Sequence, residues 1–372
     1  MISPAPSPDR IRRVLLTADT AGGVWTYAME LASALEGQGL RVTIAALGQE
    51  PSSSQREDAE LRGLPLRSFR CRLPWMADPW SDLSSAGRWL LALAREIDAD
   101  VVHLNEPVLA AHDWPVATVA VAHSCVLSWW EAVRGEPAPA RWSRYREAMR
   151  AGLAAADAVV APSHPMLAAL YRHYGTPRGR AIPNGRAPDG LGPGAKDCYV
   201  LTATRLWDEA KNVDALNQAA IGMSWPVYAA GETASPDGRV AALDNLTLLG
   251  HLDQRQLAGW MSRAPIFALP AKYEPFGLSI LEAALAGCAL VLGDIPSLRE
   301  HWDGVAIFVP PNDPAVLRLA LRSLIEDPRL RHTLAMRARR RALGYSARRM
   351  ALAYLGAYDA AGARREATAC AS

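Results

Sequence analysis

Cysteine is scarce in this 372-residue chain, and its five positions are far apart: Cys71, Cys125, Cys198, Cys288 and Cys370. Their number is odd, and none of them forms a CxxC pair. This spacing argues against a disulfide framework and against a zinc site, and it is typical of a protein in a reducing compartment.

Long apolar runs are also missing. The longest charge-free apolar stretch, residues 283–293, is too short to cross a bilayer. The N-terminal sequence MISPAPSPDRIRR lacks the apolar core of a secretory signal. We therefore expect a cytoplasmic protein. A basic and aromatic segment at 141–150 leaves open a weak peripheral contact with anionic lipid headgroups at the inner face of the membrane.

The chain lacks an excess of charge of one sign. Its 40 basic and 38 acidic residues give a net charge of +2, so a dedicated nucleic-acid binder is not expected. Complete nucleotide motifs are missing as well. Gly22-Gly23 does not complete a GxGxxG, and no Walker-type GK[ST] occurs, which disfavours an oxidoreductase with a dinucleotide and a nucleotide hydrolase.

What the chain does contain is a regular alternation of short apolar runs with amphipathic stretches. The apolar runs lack polar alternation, which is typical of parallel strands covered by helices on both faces. Predicted strands are Val14–Ala18, Arg41–Leu47, Val101–Asn105, Val116–His123, Ala158–Ala161, Tyr199–Thr204, Val227–Ala230, Leu246–Gly250, Ile266–Leu269, Ala289–Leu292 and Ala306–Val309. Predicted helices include Val24–Glu36, Gln254–Arg263, Gly277–Ala286, and Pro314–Ile325 with Asp313 as its cap.

This rhythm stops once, at the segment 182–195, which is rich in Pro and Gly. We therefore predict an α/β protein with two Rossmann-like, doubly wound parallel-sheet domains, at 1–181 and 196–345, joined by that linker. A last helical segment at 346–372 is expected to pack back on the first domain. Because such sheets bind ligands at the carboxyl ends of their strands, the site is expected in a cleft that the two domains face.

The strongest candidate site residues lie in the run Glu274-Pro-Phe-Gly-Leu-Ser-Ile-Leu-Glu282. It follows a predicted strand and opens a helix, whose first N–H groups and dipole favour a phosphate. The two carboxylates are too far apart along the axis to share a metal ion. They flank the predicted phosphate site, where each can accept hydrogen bonds from a hydroxyl pair.

A second candidate is the pair Arg205 and Lys211, which begins at the end of a predicted strand. Two cations facing a phosphate site suit a diphosphate leaving group. An ordinary surface pair with Asp208 and Glu209 is the alternative. His123 ends another predicted strand, where it could bind a sugar hydroxyl, act as a base or be a satisfied core histidine.

Taken together, these residues resemble the retaining glycosyltransferases of family 4, which have the GT-B fold. The resemblance is carried by YEPFGLSILEA, by Arg205 and Lys211, by Gly22-Gly23, by IPNG at 182–185 and by DIPSLRE at 294–300. Two departures are visible. The interval between Arg205 and Lys211 is one residue longer than is common in the family, and Arg186-Ala-Pro follows IPNG.

The resemblance implies transfer of a sugar from a nucleoside-diphosphate donor, UDP- or GDP-linked, with retained configuration and without a metal or cofactor. It implies a glycan, a lipid-linked molecule or a small molecule as acceptor. Glu274, His123, Arg205 and Lys211 would be catalytic, with His123 beside the sugar. The donor site would comprise Gly22, Gly23, Arg205, Lys211, Glu274, Phe276, Gly277, Leu278, Ser279 and Glu282, with Glu282 on the ribose. Trp25 and Asn105 are candidate acceptor contacts.

Two alternatives of similar shape stay open. One is a nucleotide-sugar epimerase, which needs no acceptor. The other is a non-catalytic, nucleotide-sugar-binding partner subunit.

Overall fold

The computed structural model describes residues 11–20, 22–175, 179–235, 238 and 240–371, except for the side chains of 369–371. The first ten residues, on which the expectation about a secretory signal partly rests, and the side chain of Cys370 lie outside that set. The chain divides into two compact units. Unit 1 comprises 1–127, 138–185 and 347–372, and unit 2 comprises 128–137 and 186–346.

Unit 1 is built around a parallel sheet. Within the described residues it has seven strands, in the order β3-β2-β1-β4-β5-β6-β7. They are β1 (Arg13–Asp19), β2 (Arg41–Gly48), β3 (Leu66–Arg70), β4 (Val101–Leu104), β5 (Ala117–Val121), β6 (Ala158–Ala161) and β7 (Arg180–Ala181). Neighbouring strands run parallel throughout. The central strands β4 and β5 are buried along their whole length, as expected for a sheet that helices cover on both faces.

The helices of this part of the chain are α1 (Gly23–Glu36), α2 (Ser53–Leu61), α3 (Trp80–Glu96), α4 (Val126–Arg134), α5 (Ser143–Ala155) and α6 (His164–Tyr174). From Ser128 onward α4 is part of unit 2. Short 3-10 helices occupy Pro107–Ala111 and Ala140–Trp142. The C-terminal helix α13 (Ala347–Ala371) belongs to unit 1, where it packs against α1 and β5.

Unit 2 contains a second parallel sheet. In the described part of the chain its six strands follow the order β10-β9-β8-β11-β12-β13. They are β8 (Val200–Ala203), β9 (Val227–Ala230), β10 (Thr247–Gly250), β11 (Ile266–Leu269), β12 (Ala289–Gly293) and β13 (Ile307–Val309). The helices are α7 (Val213–Ala220), α8 (Gln254–Arg263), α9 (Leu278–Leu285), α10 (Pro296–Trp302), α11 (Pro314–Glu326) and α12 (Pro328–Ala342), and Glu209–Lys211 forms a 3-10 turn.

The predicted doubly wound architecture is confirmed, and the element ends are refined. Asp313 caps α11 as expected, because its Oδ1 accepts from the N–H groups of Ala315 and Val316. The strand predicted to end at His123 ends at Val121 instead. Among the described residues, every helix is either too short or too polar to span a bilayer.

Candidate functional site

The first part of the site is the turn that follows β8. The backbone leaves β8 at Ala203 and makes a 3-10 turn over Glu209–Lys211, which is capped by the carboxylate of Asp208. Asn212 ends that turn in the left-handed region, with φ at 56°. Its side-chain amide donates to the carbonyls of Pro270 and Pro311, at 2.8 and 2.6 Å. The turn that carries Arg205 and Lys211 is therefore anchored to the loop after β11.

The second part is that loop and the helix it opens. The N–H groups of Lys272 and Tyr273 donate to the carbonyl of Ala210, which ties the loop to the turn after β8. Gly277 caps α9 with φ at +89°. A Cβ at this position would lie 2.5 Å from Ile280 Cδ1, which would have to move, and the backbone angle itself favours glycine.

The start of α9 has the features of an anion site. The hydrogen bonds of the first helical turn run from the N–H groups of Ile280 and Leu281 to the Gly277 carbonyl. Across the described residues, the N–H groups of Leu278 and Ser279 make no hydrogen bond. These two donors and the helix dipole would favour a phosphate oxygen, and the predicted phosphate site here stays a prediction.

Lys211 and Glu274 are brought together. Lys211 Nζ lies 2.8 Å from Glu274 Oε2, and both side chains are largely buried. The backbone of Glu274 is fixed by Ser297, whose hydroxyl donates to its carbonyl at 2.6 Å. One predicted cation and one predicted carboxylate therefore form an ion pair next to the first turn of α9.

Arg205 is paired differently. Its Nη2 lies 2.8 Å from Asp208 Oδ2, and its side chain is 46% exposed, against 5% for Asp208. Asp208 Oδ1 accepts from the indole N–H of Trp129, at 3.1 Å, and from the Ala210 N–H. Burial alone would raise the pKa of Asp208. The charges of Lys211 and Arg205, with these hydrogen bonds, lower it instead. Asp208 is thus an ionised anchor for Arg205.

Glu282 lies inside unit 2 rather than on a solvated helix face. It is 9% exposed, and its Oε1 accepts from Arg186 Nε at 2.8 Å. Arg186 is equally buried, and its backbone N–H donates to the Tyr345 carbonyl. Sequence reasoning missed Arg186 as a partner. The available signal was the arginine that follows IPNG, where the family resemblance is interrupted.

Phe276 is a packing residue at the base of the loop. It is 2% exposed, and its ring meets His301 and Tyr345 edge-on, at centroid distances of 4.8 and 5.8 Å. Its predicted role in donor binding stays a prediction, as do those of the other donor residues. In the part of the chain that is described, no group of three or more His, Cys, Asp or Glu side chains is placed to hold a metal ion.

In unit 1, the predicted Gly-Gly turn lies between β1 and α1. Gly22 caps α1 with φ at 93°, and the first turn of the helix contains neither a side-chain cap nor an acidic residue. Gly23 is the first residue of α1. This helix start also favours an anion, and glycine is required at Gly22 by its backbone angle.

The other predicted residues of unit 1 are mostly enclosed. His123 is half-buried two residues beyond β5, and its Nε2 lies 2.9 Å from Asn105 Oδ1. Burial lowers the pKa of His123 to about 3. Asn105 and Trp25 are 5% and 4% exposed, so acceptor contacts by either residue remain predictions. In the segment proposed for lipid contact, Arg144 lies over the Trp80 ring.

Sequence comparison finds two families along the chain. Residues 21–189 match Glycosyltransferase Family 4, and residues 240–341 match Glycosyl transferases group 1. A glycogen synthase of Mycobacterium tuberculosis is 41% identical over 95 residues, which is 25% of this chain and 23% of that protein. A D-inositol 3-phosphate glycosyltransferase of Kineococcus radiotolerans is 32% identical over 100 residues, 24% of this chain and 23% of that protein. The chain thus spans about a quarter of the length of these curated relatives.

Solved structures match nearly the whole chain. The sucrose-phosphate synthase of Thermosynechococcus elongatus superposes with a TM-score of 0.74 and 20% identity, over 94% of this chain and 98% of that one. HepE of Anabaena, solved with UDP-glucose, superposes with a TM-score of 0.72 and 17% sequence identity, over 91% of this chain and 97% of that one. With the two parallel sheets, these matches show that the chain is a GT-B protein, similar to Glycosyltransferase Family 4 in its first half and to Glycosyl transferases group 1 in its second.

Proposed function

We propose that the chain is a glycosyltransferase that moves a sugar from a UDP- or GDP-linked donor to a hydroxyl of a glycan, a lipid-linked molecule or a small molecule. In this proposal the anomeric configuration is retained and no metal ion takes part. The observation that carries it is the cluster in unit 2 of Arg205, Lys211, Glu274 and the start of α9.

The charges of this cluster suit a diphosphate. Arg205 and Lys211 each pair with one carboxylate, Asp208 and Glu274, at 2.8 Å. A diphosphate that reaches both cations competes with these carboxylates and also gains the open N–H groups at the start of α9. Arg205 is the more exposed of the two cations and can form a two-pronged contact with phosphate oxygens.

The proposed reaction breaks the bond between the anomeric carbon and the β-phosphate oxygen, and that oxygen keeps the electron pair. The acceptor oxygen forms a new bond to the same carbon, and its proton passes to the departing phosphate. Negative charge develops on the leaving group, where the fixed cations and N–H donors stabilise it without reorganising. The family resemblance supports retention and the proton's destination.

The remaining roles follow the same resemblance. Glu274 is proposed to hold hydroxyls of the donor sugar, and Glu282 those of the ribose. Because Arg186 already binds Glu282, the ribose is expected to share this carboxylate with the guanidinium. His123 of unit 1 is proposed as a contact to the sugar.

The first test is a thermal-shift panel of UDP-, GDP- and ADP-sugars and NAD, followed by mass spectrometry of products from a mixed acceptor pool. A nucleotide sugar that raises the melting temperature, together with a glycosylated product, supports the proposal. Stabilisation by NAD alone would indicate an oxidoreductase. A changed donor sugar without acceptor would indicate an epimerase, and binding without turnover would indicate a non-catalytic binder.

The second test is Arg205→Ala. Removing one preorganised donor to the leaving group is expected to lower kcat about 100- to 1,000-fold. Arg263→Ala is the matched control, because Arg263 is similarly exposed and pairs with Asp197 in the same unit. Equal kcat values in wild type and Arg205→Ala would refute the assignment of the phosphate site.

A further inference from the structure

A network of polar side chains lies at the carboxyl end of β4 in unit 1. It consists of His103, Asn105, His123, Tyr27 and Tyr358, of which all but His123 are buried. Of these residues, His123 is predicted to contact the donor sugar, and Asn105 is a candidate acceptor contact. Buried polar groups require partners, so the pattern of donors and acceptors in such a network is determined by its chemistry.

Thr17 fixes the orientation of the Asn105 carboxamide. Asn105 Nδ2 donates to the Thr17 carbonyl at 2.5 Å, and the Asn105 N–H donates to Thr17 Oγ1 at 2.8 Å. A carbonyl oxygen only accepts, so the amide nitrogen must face Thr17. The amide oxygen, Oδ1, therefore faces the two histidines, at 3.2 Å from His103 Nε2 and 2.9 Å from His123 Nε2.

This arrangement sets both histidine tautomers. Since Oδ1 only accepts, both Nε2 atoms carry the hydrogen. The Nδ1 of neutral His103 is then an acceptor, and it lies 2.8 Å from the Tyr358 hydroxyl, which can donate to it. The Tyr27 hydroxyl, 3.3 Å from His103 Nε2, can share that hydrogen as a second acceptor. Every contact agrees with a single assignment of hydrogens.

In this tautomer, the Nδ1 atom of neutral His123 is a hydrogen-bond acceptor. Within the described residues, this atom makes no hydrogen bond. Among the described residues, the other titratable groups around the two histidines are tyrosines. The Tyr27 ring from α1 meets His123 edge-on, with 4.3 Å between ring centroids. The rings of Tyr354 and Tyr358 from α13 pack against His103. No carboxylate is among the described contacts of His123, and burial keeps both imidazoles neutral by lowering the pKa of each to about 3.

We propose that Asn105 is a positioning residue that holds His123 as the neutral Nε2–H tautomer, so that Nδ1 accepts a hydrogen bond from a substrate hydroxyl. His123 then binds the substrate and does not transfer a proton. The substrate in this statement is the donor sugar, so that part of the inference rests on the proposed function.

The tautomer can be measured on the wild-type protein without substrate. In spectra of the full chain labelled with ¹⁵N-histidine, His123 is expected to show a protonated Nε2 and an unprotonated Nδ1, and not to titrate between about pH 5 and 8. His123→Gln identifies its signals among the eight histidines. A protonated Nδ1, or an ordinary histidine titration, would overturn the proposal, and both are read on the wild-type protein; the variant serves only to assign the signals.

Asn105→Asp separates positioning from simple packing. The new carboxylate accepts from the same imidazoles but favours their charged forms, so His123 is expected to titrate between about pH 5 and 8. The donor KM of this variant should then rise about tenfold as the pH falls through that range, and the wild-type KM should stay nearly constant. Thr17→Val is the control, because it removes hydrogen bonds in the same network but keeps both bonds to Oδ1.

An Asn105→Asp protein whose His123 spectrum and pH profile match the wild type would contradict the inference. If the wild-type chain binds no nucleotide sugar, the proposed function fails. The tautomer measurement still decides the structural half of the inference in that case.

Discussion

At the scale of single residues, the pair of Glu282 and Arg186 shows how strongly a buried charge depends on its partner. Both side chains are about one-tenth exposed and lie 2.8 Å apart. Arg186→Met is expected to lower the free energy of unfolding by about 3 kcal/mol, because it leaves a carboxylate in a low-dielectric site without this cation. Urea unfolding of the full chain measures the loss.

A double mutant provides the control. Glu282→Gln combined with Arg186→Met removes the charge that Arg186 compensates, so it should be more stable than Arg186→Met alone. If the loss of stability in the double mutant equals the sum of the losses in Arg186→Met and in Glu282→Gln alone, Arg186 does not stabilise Glu282 through the ion pair.

This pair also shows where sequence reasoning stops at the residue scale. Gly277 and Glu274 are predictable because a strand, a loop and a helix start follow one another within a short stretch of chain. Arg186 reaches Glu282 only through the fold of unit 2, since 96 positions separate them in the sequence. The arginine after IPNG marks an unusual position, but no local pattern in the sequence identifies Glu282 as its partner.

At the scale of elements, α4 and the segment after it support the turn that carries Arg205. Residues 128–137 belong to unit 2 although unit 1 segments precede and follow them in the chain. Trp129 donates to Asp208, and Arg134 pairs with Glu209 at 2.7 Å. The two neighbouring acidic residues of the turn are therefore each held by a side chain of α4.

Trp129→Phe tests this support. The variant keeps the ring but loses the N–H that holds Asp208, so Arg205 is less well fixed. Affinity for a nucleoside diphosphate should fall about fivefold, or roughly 1 kcal/mol, and affinity for the bare nucleoside should not change. Isothermal titration with both ligands measures the difference.

Trp130→Phe is the matched control for that experiment. Its indole N–H lies 3.4 Å from Glu136 Oε1 in an exposed contact, so its loss should have little effect. Equal losses in the two variants, or an equal loss for the nucleoside, would show that α4 does not act through Asp208.

Burial decides which elements can be predicted from the sequence and which cannot. Strands buried on both faces, such as β11 and β12, are confirmed because their apolar runs leave no alternative. β3, with sequence LRSFR, was missed because it lies at the edge of its sheet and is only partly covered. Its polar residues resemble a loop.

For the molecule as a whole, the buried histidines of unit 1 predict a pH-dependent stability. The pKa of both His103 and His123 is about 3 in the folded protein, below the ordinary value of 6.5. Between pH 3 and pH 6.5 the unfolded chain therefore binds more protons than the folded protein. The stability that each neutral histidine contributes is fully present above pH 6.5 and is lost as the pH falls. From pH 7 to 5 the expected loss is about 2 kcal/mol for each histidine.

Chemical unfolding at both pH values, in wild type and in His103→Gln, measures this contribution. Glutamine can donate to Asn105 and accept from Tyr358, but it does not titrate. The part of the loss that His103 contributes, about 2 kcal/mol, should disappear in the variant, and effects from the other histidines and the surface carboxylates cancel in the comparison. The same pH dependence in both proteins would show that His103 is not held neutral.

The C-terminal helix has a consequence for synthesis on the ribosome. Tyr358, which completes the hydrogen bonding of His103, belongs to α13, and α13 lies beyond every segment of unit 2 in the chain. The sheet of unit 1 is translated before α13, so the buried His103 imidazole gains its Tyr358 partner only after α13 has been synthesised. Unit 2 has all of its residues by Ser346, so we expect it to complete its fold while unit 1 is still unfinished.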